Sequence, residues 1–470
     1  MSPGEKVVVV GAGVAGLTLA RALTLGGRSV KVLERAVHRV DRGLGLWGRS
    51  HVALRQLGLD ALLDCPATTM RIPAAAYRSV SGEWLSRCTE MPLNRERVTT
   101  LRESALLQEL ENRLPEGTVE RGVEVIDVRQ SASGIELGLA DGRSIAGSVV
   151  VGADGVRSAI RRLAFPEAAE AIDTGFVSHG GLLLSPSPGA LDAIFPPATA
   201  DEESPLAFET LSAGRRFAMV PLAAGSGFWF ATRPMALGST NEHADATGLR
   251  TLRAAYEGWH SPIPRALHAA ACAAAEAAMG TPSADTTPQA SPPPAAASHA
   301  LHAACDAFRA ERVLIAPPLG QWWRGRCVLV GDAAHALPIN LAQGAAASIE
   351  GAYLLGQALG GSAPGEQPPD AAPGEAASCA TWQTAFASYQ AAHEPRVWQC
   401  RLASAFTTAL AAPASAPTEA LRNAMRFVPQ PLNGYVFDAA LEFSLGDIPS
   451  RTRAHWPLPT AAPGAPSRER

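Results

Sequence analysis

The chain opens on four consecutive valines, Val7–Val10, that run straight into Gly11-Ala12-Gly13-Val14-Ala15-Gly16. An unbroken apolar run of this length reads as a strand buried on both faces, as in a parallel sheet. The spacing then predicts a helix over 14–26 and a second strand, Ser29–Leu33, ending in Glu34. Two later segments repeat the pattern of buried strand, Gly or Ala, Asp, helix. Val149–Val151 leads into Gly152-Ala153-Asp154-Gly155, and Cys327–Val330 leads into Gly331-Asp332-Ala333-Ala334-His335. Elsewhere apolar and polar residues alternate. Gly122 to Val151 reads as a meander, with Asp141-Gly142 as a two-residue hairpin turn between Ile135–Leu139 and Arg143–Ala146. Phe176–Leu184, Leu206–Leu211, Arg216–Leu222 and Gly227–Thr232 predict a largely antiparallel sheet. Of Phe217, Phe228, Trp229 and Phe230, most are expected in its core and one or two facing a ligand.

Three segments rich in Ala, Pro, Ser and Thr break this pattern: Thr281–Ser298, Gly361–Ser378 and the tail from about Pro457. Such composition buries no core, and the segments read as disordered surface additions. The second interrupts helical stretches at Ala345–Leu359 and Trp382–His393. The expected organisation is a discontinuous nucleotide-binding domain (1–70, 96–172 and 311–360) with a substrate domain (71–95 and 173–280). An Ala/Pro-rich insert (281–310), a low-complexity loop (361–378), a C-terminal helical region (379–456) and a disordered tail (457–470) complete it.

The chemistry starts at the first glycines. Gly11 allows the tight turn, Gly13 lets the backbone approach a pyrophosphate, and Gly16 lets helix and strand pack closely. The helix N-terminus offers free N–H groups and a positive dipole end. Glu34, 23 residues beyond Gly11, is placed to accept hydrogen bonds from ribose hydroxyls. Asp154 and Asp332 each follow a strand end, where ligands sit in open α/β sheets. Each is suited to sugar or ribityl hydroxyls, and each also fits a plain helix cap.

These three segments, in this order, resemble the single-component (class A) FAD-dependent aromatic hydroxylases, the flavoprotein monooxygenases. Gly43-Leu44-Gly45-Leu46-Trp47-Gly48 and the helix through Leu59 look like the family's second glycine loop, and Arg102 matches its FAD-contacting arginine. The substrate-domain strands, Gly258–Pro264 and Glu394-Pro395-Arg396-Val397 also fit. The resemblance implies an α/β fold: a Rossmann-like FAD-binding domain, an inserted antiparallel substrate sheet and C-terminal helices. It implies non-covalent FAD held by Gly11, Ala12, Gly13, Val14, Ala15, Gly16, Glu34, Arg35, Gly45, Arg102, Val125, Asp154, Gly155, Asp332, Gln343, Gly344 and Ala345. NADH or NADPH would be the co-substrate, docking transiently because a second nucleotide-binding unit is lacking. A flavin C4a-hydroperoxide formed with O2 would hydroxylate a small, electron-rich aromatic substrate. The helix opening near Gln343-Gly344-Ala345 would stabilise charge on reduced flavin.

One loop departs from the family. Pro338 lies three residues past His335, Ile339 fills the usual proline place, and Ala342-Gln343-Gly344 replaces Gly-Gln-Gly. No catalytic acid or base is assigned. His335 is a candidate base, although its place in the motif suggests a bracing role. Arg49, where relatives often carry Asn, is a candidate contact for an anionic substrate and equally a salt-bridge residue. Two other readings stay open: a flavin reductase or dehydrogenase without oxygen insertion, and a flavin-binding protein without turnover.

Composition narrows partners rather than chemistry. With 470 residues and net charge −4, nothing recommends a nucleic acid. No apolar run reaches membrane length. A strand from residue 7 leaves no room for a leader, so a cytoplasmic protein is expected. Seven scattered cysteines without Cys-x-x-Cys agree with a reduced compartment. His299-x-x-His302-x-x-Cys305 lacks a second ligand pair, and no metal site is expected. Monomer and homodimer are not distinguished.

Overall fold

The structure, a computed structural model, describes residues 6–72, 75–87, 98–131, 134–185, 187, 189–195, 207–235, 246–279, 308–360, 379–411, 420 and 424. Most of the Ala/Pro-rich insert, the 361–378 loop and the tail lie outside these residues.

The chain begins β1 (Lys6–Val10), α1 (Val14–Leu25), β2 (Ser29–Glu34), as the valine run and the glycine turn predict. Then come β3 (Gly43–Leu46), α2 (Gly48–Gln56), α3 (Asp60–Leu63), β4 (Thr69–Ile72), β5 (Ala75–Arg78), β6 (Trp84–Arg87), β7 (Val98–Arg102) and α4 (Glu103–Asn112). A strand β8 (Val119–Arg121) precedes the meander β9 (Val125–Gln130), β10 (Ile135–Leu139), β11 (Ser144–Gly147), and β12 (Val149–Gly152) leads into α5 (Ala159–Ala164). The long β13 (Ile172–Leu183), β14 (Ala207–Ser212), β15 (Arg215–Pro221) and β16 (Gly227–Pro234) follow, with α6 (Ala246–Ala255) and α7 (Ile263–Met279). The chain continues through β17 (Arg309–Ile315), β18 (Trp323–Arg324), β19 (Cys327–Leu329), α8 (Asp332–His335), α9 (Gly344–Gly360) and α10 (Cys379–Ala411).

β1 lies inside a six-stranded sheet of order β18-β19-β12-β1-β2-β8, parallel except for β18. Val7, Val8 and Val9 are fully buried there, as are Val149, Val150, Val151, Cys327, Val328 and Leu329. The three strands that end in glycine-containing turns are therefore neighbours, and the turns β1–α1, β12–α5 and β19–α8 meet at one edge of the sheet. This is the ligand edge of a doubly wound fold.

The second large sheet has seven strands in the order β17-β13-β16-β15-β14-β5-β6 and is antiparallel except for the β14–β5 pair. Residues 311–315, assigned from sequence to the FAD-binding part, form most of its edge strand β17. One face packs on α6 and α7 through Phe217, Met219, Trp229, Tyr256, Trp259 and Leu267. The other faces the nucleotide-binding part. A small sheet, β3-β7-β4, stands between the two. The residues compared with a second glycine loop, 43–46, are thus a strand, paired with Val98–Arg102. Thr100 Oγ1 donates to the Pro221 carbonyl at 2.7 Å and ties this sheet to the larger one. The C-terminal helix runs 33 residues, well beyond the predicted 382–393.

Candidate active site

One cavity of about 1170 Å³ joins the two large sheets. Gly11, Gly13, Val14 and Ala15 line one end; Phe208, Glu209, Ala218, Phe228 and Phe230 line the other. Of the four clustered aromatics, Phe228, Trp229 and Phe230 border the cavity, although the Trp229 side chain is buried and stacks with Phe217 in the core at 5.5 Å.

The first turn behaves as its glycines require. Gly11 has φ of +107°, and a Cβ there would sit 2.3 Å from the Ala153 carbonyl oxygen. A Cβ on Gly16 would sit 1.8 Å from the Gly11 carbonyl oxygen, so helix and turn are in contact. Gly13 differs. Only Arg39, at 3.5 Å, approaches its missing Cβ, leaving a cradle open to the cavity. Helix α1 has no side-chain cap and no acidic residue in its first turn, so its leading N–H groups remain available. Glu34 closes the turn from below. Its Oε2 accepts from the Ala12 N–H and its Oε1 from the Ala36 N–H, both at 2.8 Å, and it forms an ion pair with Arg39.

The two Asp turns differ. Asp154 lines the cavity, but its carboxylate is engaged: Oδ1 accepts from Ser158 Oγ, and Oδ2 from the N–H groups of Ala159 (2.6 Å) and Ile160 (3.1 Å). It caps α5. Burial raises its pKa, and these bonds oppose the rise. Asp332 opens onto the cavity. Protein surrounds it on its other sides, so desolvation raises its pKa while Arg42 opposes. Arg161 couples the turns. This buried side chain of α5 donates to the carbonyls of Ala333 and Ala334, both at 3.1 Å, and of Pro317 at 2.8 Å.

Arg35, Gly45, Val125, Gly155, Gly344 and Ala345 also line the cavity; Ala12, Gly16, Arg102 and Gln343 do not. Arg102 Nε donates to Asp41 at 2.7 Å. Its neighbour Arg42 lines the cavity instead, paired with Glu103 at 2.7 Å. Gln343 is buried, and its Oε1 accepts from Arg396 at 2.9 Å. Arg396 is held in turn by Glu350 at 3.2 Å.

Neither candidate catalytic residue faces the cavity. His335 is 1% exposed, packed beside Trp322 and His393 with ring centroids at 5.2 and 5.1 Å. Burial, aided by Arg401, pushes its pKa down to about 3, which keeps the ring neutral. That environment suits bracing, not a base near neutral pH. Arg49 lies beside Glu350, Arg396 and Cys400, where desolvation lowers its pKa. It does not line the cavity that would receive an anion.

Sequence reasoning missed the network at the far end. Arg216 pairs with Glu209 and with the Asn340 side chain, and donates to the Asn340 carbonyl at 3.1 Å. Residues 124 positions apart leave no local pattern to find.

An open glycine cradle at an uncapped helix, with a carboxylate open to the same cavity, is the donor and acceptor set of a dinucleotide site. Residues 5–177 match the family described as FAD binding domain. A relative, aurachin C monooxygenase/isomerase of Stigmatella aurantiaca, is 30% identical over 368 residues, 76% of this chain and 82% of its own. FAD-dependent urate hydroxylase of Klebsiella pneumoniae is 25% identical over 360 residues, 75% and 80% of the two chains. The solved structure of Klebsiella pneumoniae HpxO complexed with FAD and uric acid superposes with a TM-score of 0.69 at 21% identity. The match covers 94% of this chain and 98% of that one, and shows a shared fold. The chain belongs to the family of FAD-dependent hydroxylases and monooxygenases that act on aromatic substrates. Among the described residues no helix is long and apolar enough to cross a membrane.

Proposed function

We propose that this protein is a single-component monooxygenase that uses NADH or NADPH and O2 to hydroxylate a small aromatic substrate. FAD, when bound, would supply the redox chemistry of this reaction, the transfer of reducing equivalents from the nicotinamide and the activation of O2. The chain's own residues bind, orient and exclude water. Gly13 and the α1 N–H groups would receive the pyrophosphate, with Arg35 and Arg39 beside it. Glu34 would accept from the adenosine ribose while bracing the turn. Asp332 would accept from ribityl hydroxyls, and Asp154 would act through α5 and Arg161. Gly344 and Ala345, at the start of the 17-residue α9, would place backbone N–H groups against the electron-rich edge of the ring system. His335 and Gln343 would act as braces.

The observation that carries this reading is Asp332. Its carboxylate is open to a cavity that runs from the glycine turn to the aromatic face of the second sheet. The test is FAD content of the folded protein, followed by NADH and NADPH oxidation with a panel of phenols, aminophenols and heteroaromatic alcohols under 18O2. Bound FAD, stimulated oxidation and one 18O atom in product are expected. Substrate-stimulated oxidation without 18O would favour a reductase, and folded protein that never takes up FAD would remove the proposal.

A further inference from the structure

The substrate end of the cavity carries a charge arrangement that selects among aromatic rings. Register across the seven-stranded sheet puts Tyr77, Glu209, Ala218, Phe230, Gly180 and Arg309 in one lateral row. Tyr77, Glu209, Ala218 and Phe230 line the cavity, with Leu211, Val220, Leu337 and Ile339 nearby in its wall. Around Glu209 the floor is therefore apolar apart from the polar tip of Tyr77 and Asn340; Arg309 lies at the far end of the row.

Arg216, the cation nearest to Glu209, is already committed. It is buried, absent from the cavity wall, and bonded through Nε to Glu209 Oε1 and through both terminal nitrogens to Asn340. Asn340 is committed too, since its amide nitrogen donates to Thr408. Glu209 alone keeps a function to spare. Its side chain is 12% exposed, and Oε2 has no hydrogen-bond partner among the described residues. The next cation along the row, Arg309, also lines the cavity but lies four strands away, about 19 Å at the usual strand spacing, too far to meet a ring seated on Glu209.

Resting on the monooxygenase reading, we propose that Glu209 Oε2 is the substrate-recognition acceptor. The substrate is then a ring that presents a hydroxyl or N–H donor, and no carboxylate, to this end of the cavity. A donor satisfies the spare oxygen. A ring carboxylate would set one anion against another on an apolar stretch of floor, with the guanidinium nearest to Glu209 already bonded.

The test uses the FAD-loaded protein without NADH or NADPH. Matched pairs on one ring are titrated: phenol with benzoate, 4-hydroxypyridine with isonicotinate, 4-hydroxyquinoline with quinoline-4-carboxylate. Binding is read as a change in the flavin absorption spectrum and as a shift in Tm. At least one hydroxyl ring should bind, at least about tenfold tighter than its carboxylate twin. Glu209→Gln should keep FAD, weaken the hydroxyl ring about tenfold or more, and strengthen the carboxylate, because the charge on Arg216 is no longer balanced. Glu209→Asp keeps the charge and should keep the preference. Equal binding within every pair, a carboxylate preference, no bound hydroxyl ring, or an unchanged preference in Glu209→Gln would overturn the assignment. Failure of the monooxygenase reading shows separately, as no flavin uptake or as bound rings that never stimulate NADH or NADPH oxidation; the preference stays readable by Tm.

Discussion

The β12–α5 turn and the β19–α8 turn carry nearly the same residues to the same edge of one sheet, yet their aspartates do different things. After Asp154 the chain spends three residues reaching Ser158, so the helix begins late and its first N–H groups turn back onto the carboxylate. After Gly331 the helix begins at once: Asp332 is its first residue, too early to cap it, and the side chain is left to the cavity. A short motif is thus read by where the next N–H groups fall, not by the aspartate. The turns also differ at their glycines. A Cβ on Gly155, at φ +79°, would meet nothing within 4 Å. A Cβ on Gly331, at φ +61°, would lie 2.8 Å from Ala15 Cβ and 3.0 Å from Ser348 Oγ.

The largest effect should come from Gly331→Ala. Backbone strain of about 1–3 kcal/mol adds to overpacking of about 1–3 kcal/mol, so a loss of about 3 kcal/mol is expected in denaturant unfolding. Gly155→Ala should cost only the strain, and equal losses would erase the contrast. Next, Asp332→Ala should weaken FAD by about 1.5–3 kcal/mol, the worth of hydrogen bonds to a charged acceptor, with Tm of the flavin-free protein nearly unchanged. Flavin titration with Asp154→Ala alongside is the direct comparison.

The helix that Asp332 opens ends on His335, whose folded pKa of about 3 lies below the unfolded value of about 6.5. Between these values the unfolded chain binds the extra proton, so stability rises with pH and falls on acidification. At pH 5 this amounts to about 2 kcal/mol. His335→Asn should flatten the loss of stability between pH 7 and pH 5 and leave kcat within about tenfold of the parent. A general base would cost about 10²–10⁴-fold, and such a loss with FAD retained would make the residue catalytic. The smallest effect should be that of Asp154→Ala, about 1 kcal/mol of stability for a lost cap, with FAD affinity changed less than in Asp332→Ala.

The parts legible in the sequence are those that neighbouring residues determine. Four valines before a glycine turn give the buried strand, Asp141-Gly142 gives the hairpin, and the spacing from Gly11 to Glu34 places the acid under the turn. The sequence does not choose between Asp154 as cap and as ligand, because that choice depends on the backbone path through Ser158. Arg102 and Arg42 are both arginines near β7, and only the pairings with Asp41 and Glu103 show which one meets the cavity. Glu209, Arg216 and Asn340 come from two strands and a distant loop, and no periodicity links them.

The bond from Arg396 to Gln343 has a consequence in time. The loop that opens α9 is braced from α10, 53 residues further along the chain. A ribosome adding about 5–20 residues per second needs about 3–10 s to cover that distance. The glycine turn is made well before the residue that braces the loop opposite it, so a nascent chain stalled before Arg396 would carry both walls of the cavity but lack this brace.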